Sequence, residues 1–145
     1  MPSIVSTATI ARSPEDVFAF VTTPRHWPEW HPSSLGVSGA IDHSLDVGEA
    51  CVEEFRVAGR RGSCEWRVIE RDAPRRWAIT TTTQGGDATI RYDLAPRAGG
   101  TLYRRVLEYR MPNPFFALLD VLFMGRRLRR ESDDAVERLK RVLEI

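Results

Sequence analysis

Hydrophobic positions along this chain follow two rhythms, a period of two and a period near 3.6. From Ile4 to Ile10, Ile4, Ala8 and Ile10 alternate with Val5, Thr7 and Thr9, which predicts a short strand. Ser13-Pro14-Glu15-Asp16 then opens a helix. The serine caps it, the proline fits its first turn, and the two acids suit its positive end. Val17, Phe20 and Val21 give that helix one buried stripe. Pro24, Pro28 and Pro32 interrupt the next stretch, leaving room for one short second helix between Pro24 and Trp30. Gly36 to Gly39 carries a faint strand pattern, and Asp42 to Gly48 reads as loop.

From Ala50 to Arg110 the pattern is a strand meander. Turn residues recur at Gly59-Arg60-Arg61-Gly62, Asp72-Ala73-Pro74-Arg75, Gln84-Gly85-Gly86-Asp87 and Pro96 to Gly100. Centring each hairpin on its turn predicts registers. The first places Glu54 opposite Arg67, Arg56 opposite Glu65, Phe55 opposite Trp66 and Val57 opposite Cys64. It also places Cys51 opposite Glu70, which keeps the two cysteines too far out of step for a disulfide. The second sets Val68 opposite Ile79 and Trp66 opposite Thr81. The third sets Ile79 opposite Tyr92 and Trp77 opposite Leu94.

One continuous dry face results: Phe55, Val57, Trp66, Val68, Trp77, Ile79, Ile90, Tyr92 and Leu94. The wet face carries Arg67, Arg76, Thr80, Thr82, Arg91 and Asp93. Val52 and Ile69 fall on the wet face, so either something covers them or a bulge shifts the strand. On the last strand, either Tyr103, Arg105, Leu107 and Tyr109 or Leu102, Arg104, Val106 and Glu108 point inward. Both choices leave at least one arginine inside.

A long helix is predicted from Pro114 to Leu143. Ala117, Val121, Met124, Leu128, Ala135, Leu139 and Val142 form its stripe. Its first half, with Phe115, Phe116, Leu118, Leu119, Leu122 and Phe123, is apolar almost all round.

Composition narrows the picture. A chain of 145 residues suits a single domain over 1–145 and can bury its own core without disulfide or metal. No apolar run approaches the ~20 residues of a membrane span, and Met1-Pro2-Ser3-Ile4 does not start a signal peptide, so the expected location is cytoplasmic. A net charge of +1 argues against nucleic acid as a partner.

Of 21 basic residues only Lys140 is not arginine. Codon usage explains most of such an excess, but arginine also recognises anions bidentately. His26, His31 and His43 have no metal-binding spacing, and neither cysteine adjoins a histidine. Gly85-Gly86 and Gly99-Gly100 are hairpin turns and not phosphate loops. Gly125-Arg126-Arg127-Leu128-Arg129-Arg130 is flanked by Asp120, Glu131, Asp133, Asp134 and Glu137 and reads as a solvated helix face, so membrane contact is not expected.

The order strand, two short helices, six-stranded meander and long helix resembles the START-like, or helix-grip, superfamily. That group includes pollen-allergen-type proteins, polyketide cyclase/dehydratase-like proteins and lipid-transfer START domains. Four stretches carry the likeness: Ile10 to Phe18 as strand-to-helix entry, Pro24 to Pro32 as the Pro/Trp segment, Gly99-Gly100-Thr101 as the final turn, and Leu139 to Glu144 as the helix end. Thr22-Thr23 departs from it, since many relatives carry an Asp there. The resemblance covers the whole chain and is specific for fold more than for function. It implies an α+β fold with a curved antiparallel sheet of about seven strands around the C-terminal helix. It also favours Thr101, Tyr103, Arg105, Leu107 and Tyr109 as the inward residues of the last strand.

The resemblance further implies an elongated, mostly apolar pocket between sheet and helix. The residues placed to line it are Trp30, Phe55, Trp66, Trp77, Ile79, Thr81, Tyr92, Tyr103, Arg105, Leu107, Tyr109, Phe116 and Leu119. Arg105 is the sharpest candidate, because a buried guanidinium needs an anion or several carbonyls. It would bind a carboxylate, enolate or phenolate oxygen of a ligand, or pair with Glu53 or Glu70. His31, beside Trp30 at the pocket mouth, reads as a solvated loop histidine before it reads as a base.

The leading expectation is therefore a carrier or binder of a small hydrophobic molecule, with no cofactor and no metal, as monomer or homodimer. The alternative is a cyclase/dehydratase-like enzyme in which Arg105 with Tyr92 or Tyr109 polarises a carbonyl and moves a proton. A third reading is an interaction module whose apolar helix start forms a dimer contact.

Overall fold

Alternation along the chain builds one antiparallel sheet, and a computed structural model describes it over residues 3–57, 59–83, 86–110 and 125–145. The strands are β1 (Ser3–Ile10), β2 (Ser34–Gly39), β3 (Ala50–Val57), β4 (Arg60–Asp72), β5 (Arg76–Thr83), β6 (Gly86–Arg97) and β7 (Gly100–Arg110). Their order is β1-β7-β6-β5-β4-β3-β2, a meander whose first strand returns to pair with the last. Between β1 and β2 lie α1 (Pro14–Val21), a 3-10 turn (Pro24–His26) and α2 (Trp27–Trp30). The C-terminal helix α3 spans Gly125–Leu143. The expected helix between Pro114 and Gly125, with its apolar residues, lies outside the described residues.

The start of α1 obeys its sequence. Ser13 Oγ accepts from Asp16 N at 3.2 Å, with Pro14 behind the cap. At its end Thr22 Oγ1 donates to Phe18 O at 2.7 Å and lies 2.6 Å from Ser44 Oγ. Thr23 Oγ1 donates to Ala19 O at 2.7 Å. The Thr22-Thr23 pair thus takes up last-turn carbonyls and ties α1 to the loop before β3.

Faces agree with the alternation, and β7 turns Thr101, Tyr103, Arg105 and Tyr109 inward. Two registers differ from expectation. On β3–β4, Glu54 stands opposite Ser63 and Arg56 opposite Arg61, not Arg67 and Glu65. The hairpin closes between Val57 and Arg60, with Gly59 at φ +80°, a tighter turn than the one centred on Gly59 to Gly62. Arg67 instead pairs with Glu65 at 3.1 Å and donates to Gly48 O at 2.7 Å. On β5–β6, Ile79 faces Ile90 and Trp77 faces Tyr92, a shift by two from the expected Tyr92 and Leu94. Both shifts are even, so neither moves a side chain to the other face.

The tighter β3–β4 turn also puts Cys51 opposite Trp66 and not Glu70. The two cysteines are therefore diagonal neighbours, and both are free thiols. Val68 does face Ile79 as expected, and a bulge then comes at Ile69. Ile69 and Val52 remain exposed, at 44% and 38%. The bulge turns Glu70 to the wet face, where it meets Arg91 at 3.5 Å. Glu70 therefore does not share the inner face with Arg105.

The core sits between the concave face and the helices. Trp30, Trp77, Tyr103, Ile79 and Leu139 are among its largest fully buried side chains. On α3 the buried stripe is Leu128, Ser132, Ala135, Val136, Leu139 and Leu143. One close backbone approach fixes the sheet's closing corner. A Cβ at Gly100 would stand 2.0 Å from Ile10 O, so only glycine fits where β7 begins beside the end of β1.

Candidate functional site

Strand β7 carries Arg105 between Ser6 of β1 and Tyr92 of β6, its partners across the sheet. Its residue is 3% exposed. Nη1 donates to Ser132 Oγ at 2.7 Å and Nη2 donates to His31 Nε2 at 3.0 Å, while Nε has no partner. Among the described residues no carboxylate lies within ion-pairing distance of this guanidinium.

One carboxylate, Asp133, is reached through hydroxyls. Ser6 Oγ donates to Asp133 Oδ1 at 2.6 Å and lies 3.0 Å from Ser132 Oγ. Ser6 has one hydroxyl hydrogen and the carboxylate takes it, so the Ser132 hydrogen bridges the two serines. A relay of polarised hydroxyls therefore joins β7, α3 and β1. It ends in an open groove of about 320 Å³ between β1 and α3, walled in part by Ser6, Asp133, Glu137 and Lys140.

His31 caps the C-terminal end of α2 and is half-buried. Burial, and then the charge of Arg105, holds its pKa well below 6.5, so the ring is neutral near pH 7. Arg105 has only donors, so its bond makes Nε2 the acceptor of the neutral ring; the Ser33 N–H, 3.2 Å from Nδ1, then faces the ring N–H and finds no lone pair there. His31 is thus a wall of the site, and the expected solvated loop histidine is corrected. The three-proline segment folds α2 back over the sheet, which a linear reading of loop residues does not reveal.

Arg105 and Glu53 both line a cavity of about 30 Å³, room enough for a water-sized group. Trp27, Trp30, Trp66, Ile79, Ile90 and Tyr92 wall it, with His31, Glu53 and Arg105 beside them. Glu53 Oε1 accepts from Trp66 Nε1 at 3.0 Å. Burial raises the pKa of this carboxyl, and hydrogen bonding from Trp66, then from Ser34, and the Arg105 charge act against that rise. The direct Arg105–Glu53 ion pair considered from sequence is not formed, and both residues line the cavity. Trp30 Nε1 is a second buried N–H without a partner.

Burial also pushes the Tyr92 phenol up to about 12, with Arg105 opposing, and pushes Tyr103 well above 10. Both phenols are therefore protonated at neutral pH. Burial raises Cys51 and Cys64 to about 12, which leaves neither as a thiolate nucleophile.

Of the thirteen residues placed in the pocket from sequence, Trp30, Trp66, Ile79, Tyr92 and Arg105 meet at this cavity. Trp77 and Tyr103 pack behind it, each with its ring centroid 5.4 Å from that of Tyr92, and Trp77 Nε1 donates to Leu45 O. Thr81 is buried and Leu107 half-buried on the inner face. The half-buried Phe55 ring lies over Gly62. Tyr109 packs with Ile4 and Leu128 in a separate cluster, away from the Arg105 cavity, so the two are not brought together. Phe116 and Leu119 lie outside the described residues.

Sequence reasoning missed Trp27, Ile90 and Ser132 as site residues, and had Glu53 only as a salt-bridge partner. Ser132 carried a signal: it falls on the apolar stripe of α3 between Leu128 and Ala135. A lone serine on a buried stripe needs a polar partner.

The profile of one family, described as polyketide cyclase / dehydrase and lipid transport, matches residues 1–144. The chain belongs to that family. None of the curated proteins matches it. Among solved structures, TTHA0849 from Thermus thermophilus superposes with a TM-score of 0.79 at 12% identity, covering 98% of this chain and 97% of that one. The Aha1 dimer from Colwellia psychrerythraea gives 0.67 at 20% identity, over 100% and 98%. Ara h 8.0201 gives 0.65 at 12% identity, over 98% and 97%. At these identities the likeness is one of fold. This member of the polyketide cyclase / dehydrase and lipid transport family has the START-like, helix-grip architecture: a seven-stranded curved sheet, two short helices after β1 and a C-terminal helix. Among its described residues no helix is long and apolar enough to cross a membrane. No three of their His, Cys, Asp and Glu side chains gather as a metal site.

Proposed function

We propose that the chain, as a single domain, binds a small hydrophobic molecule on the inner face of the sheet, with Arg105 holding an oxygen at the polar end of that ligand. One observation carries this reading. Arg105 is a buried cation with neutral direct partners and an unfilled Nε, in a wall made largely of indoles and aliphatic carbons. A guanidinium so placed retains donor capacity for an acceptor that arrives with a ligand. Native mass spectrometry of the purified protein tests it. A co-purifying apolar molecule supports the reading, and Arg105→Ala should remove it. A chain that carries none and binds no apolar probe overturns the reading.

A second reading, a cyclase/dehydratase-like enzyme, is favoured by the presence of Arg105 and Tyr92 on one cavity wall. There the guanidinium would polarise a carbonyl and the Tyr92 phenol would supply a proton. Turnover of a poly-ketone that survives Arg105→Ala unchanged would overturn that role. The Aha1 neighbour is a dimer by its own description, and a homodimer remains our alternative to a monomer for this chain.

A further inference from the structure

The cavity beside Arg105 holds more information than the presence of a cation. Arg105 supplies only donors, and its Nε–H has no acceptor. Trp30 on the same wall supplies another N–H with no acceptor. Glu53 forms another part of the wall, and when ionised its carboxylate only accepts. One of its oxygens already takes the Trp66 N–H at 3.0 Å, and a carboxylate has lone pairs beyond that one bond. His31 contributes nothing further at Nε2, because Arg105 occupies that lone pair. A group in the 30 Å³ space thus has donors and an acceptor in its wall.

From this we infer that the cavity is a hydroxyl-reading subsite, one that selects a hydrophobic ligand ending in an un-ionised O–H, an alcohol or phenol, over an ether, a ketone or an ionised carboxylate. A hydroxyl oxygen accepts from Arg105 and donates to Glu53 at once. An ether or ketone oxygen adds no donor for Glu53, and an ionised carboxylate places a second negative charge beside it. This inference rests on the binding reading above and specifies its ligand end.

The test uses three probes of one carbon skeleton, β-naphthol, its methyl ether and the corresponding naphthoate, titrated into the intact chain in mildly alkaline buffer and followed by calorimetry. β-Naphthol should bind most tightly. The ether should bind roughly tenfold more weakly or worse, the scale of a lost hydrogen bond to a charged group. In Glu53→Gln the amide can keep the Trp66 bond with its oxygen and turn its NH2 to the cavity. The preference for naphthol over ether should then vanish or reverse. If the wild-type chain binds the ether or the naphthoate as well as the naphthol, the hydroxyl inference falls and the binding reading stands. If it binds none of the three, both fall. Should Glu53→Gln fail to fold, the wild-type series decides alone.

Discussion

Arg104 and Arg105 are adjacent in the chain and chemically identical, yet the sheet treats them as opposites. Arg104 points to the wet face, keeps 48% of its side-chain exposure and meets Asp93 at 3.5 Å. Arg105 points to the dry face, is 3% exposed, and has a neutral imidazole, a serine hydroxyl and an unpartnered Nε. The difference is one step of a period-two backbone. An arginine on the outer face can be exchanged with little consequence, because water solvates it in any case. The inner one has no water to fall back on, so its partners and any ligand determine what it does.

Substitutions at and around the two arginines should expose this contrast or erase it. The largest effect should come from Arg105→Ala, with roughly tenfold to hundredfold weaker binding of β-naphthol by calorimetry, as expected for removing a charged hydrogen-bond donor. The same change in Arg104 should leave that affinity unchanged; equal losses at both sites would erase the distinction. Ser132→Val comes next. It leaves Arg105 Nη1 without its 2.7 Å acceptor, and chemical denaturation should show a loss of about 1–3 kcal/mol.

The pH dependence of stability should trace the same cluster. His31 has a folded pKa well below its unfolded value of 6.5. The unfolded chain therefore binds the extra proton first, and stability falls as pH drops below about 6.5, by at most about 1.4 kcal/mol per pH unit. His31→Gln should flatten that limb in a urea series, and an unchanged slope would show that another group causes it. At the alkaline end Tyr92 has the opposite sign. Its folded pKa of about 12 lies above the unfolded 10, so its contribution is intact below pH 10 and is lost as pH rises toward 12. Tyr103, also raised, adds to this loss. The smallest effect is Arg104→Ala, within about 0.5 kcal/mol of wild-type stability. A larger loss there would mean that the outer ion-pair network, which also joins Arg76 to Asp93 and Arg91 to Glu108, acts as a unit.

By itself the sequence determined the period of each element and therefore its face. Period two put Trp66, Trp77, Ile79, Tyr92 and, with the resemblance to guide the last strand, Arg105 on the dry side. Even register shifts on β3–β4 and β5–β6 could not undo that, since a slip of two or four residues keeps parity. The Ser13 cap was equally legible, and so was the stripe of the C-terminal helix at Leu128, Ala135 and Leu139, though Leu143 and not Val142 is the buried residue at its end.

Only the tertiary structure decided who meets whom across the sheet. Turn tightness set the β3–β4 register, and Ile69 broke the parity locally, so that Glu70 left Arg105 for Arg91. Proline breaks gave no direction for α2, whose packing carried His31 to Arg105. Ser6 lies more than a hundred residues from Ser132 and Asp133, and no local rule couples them. Side-chain direction is a local property of the backbone, whereas a buried charge is answered by whatever distant chain the fold brings within about 3 Å.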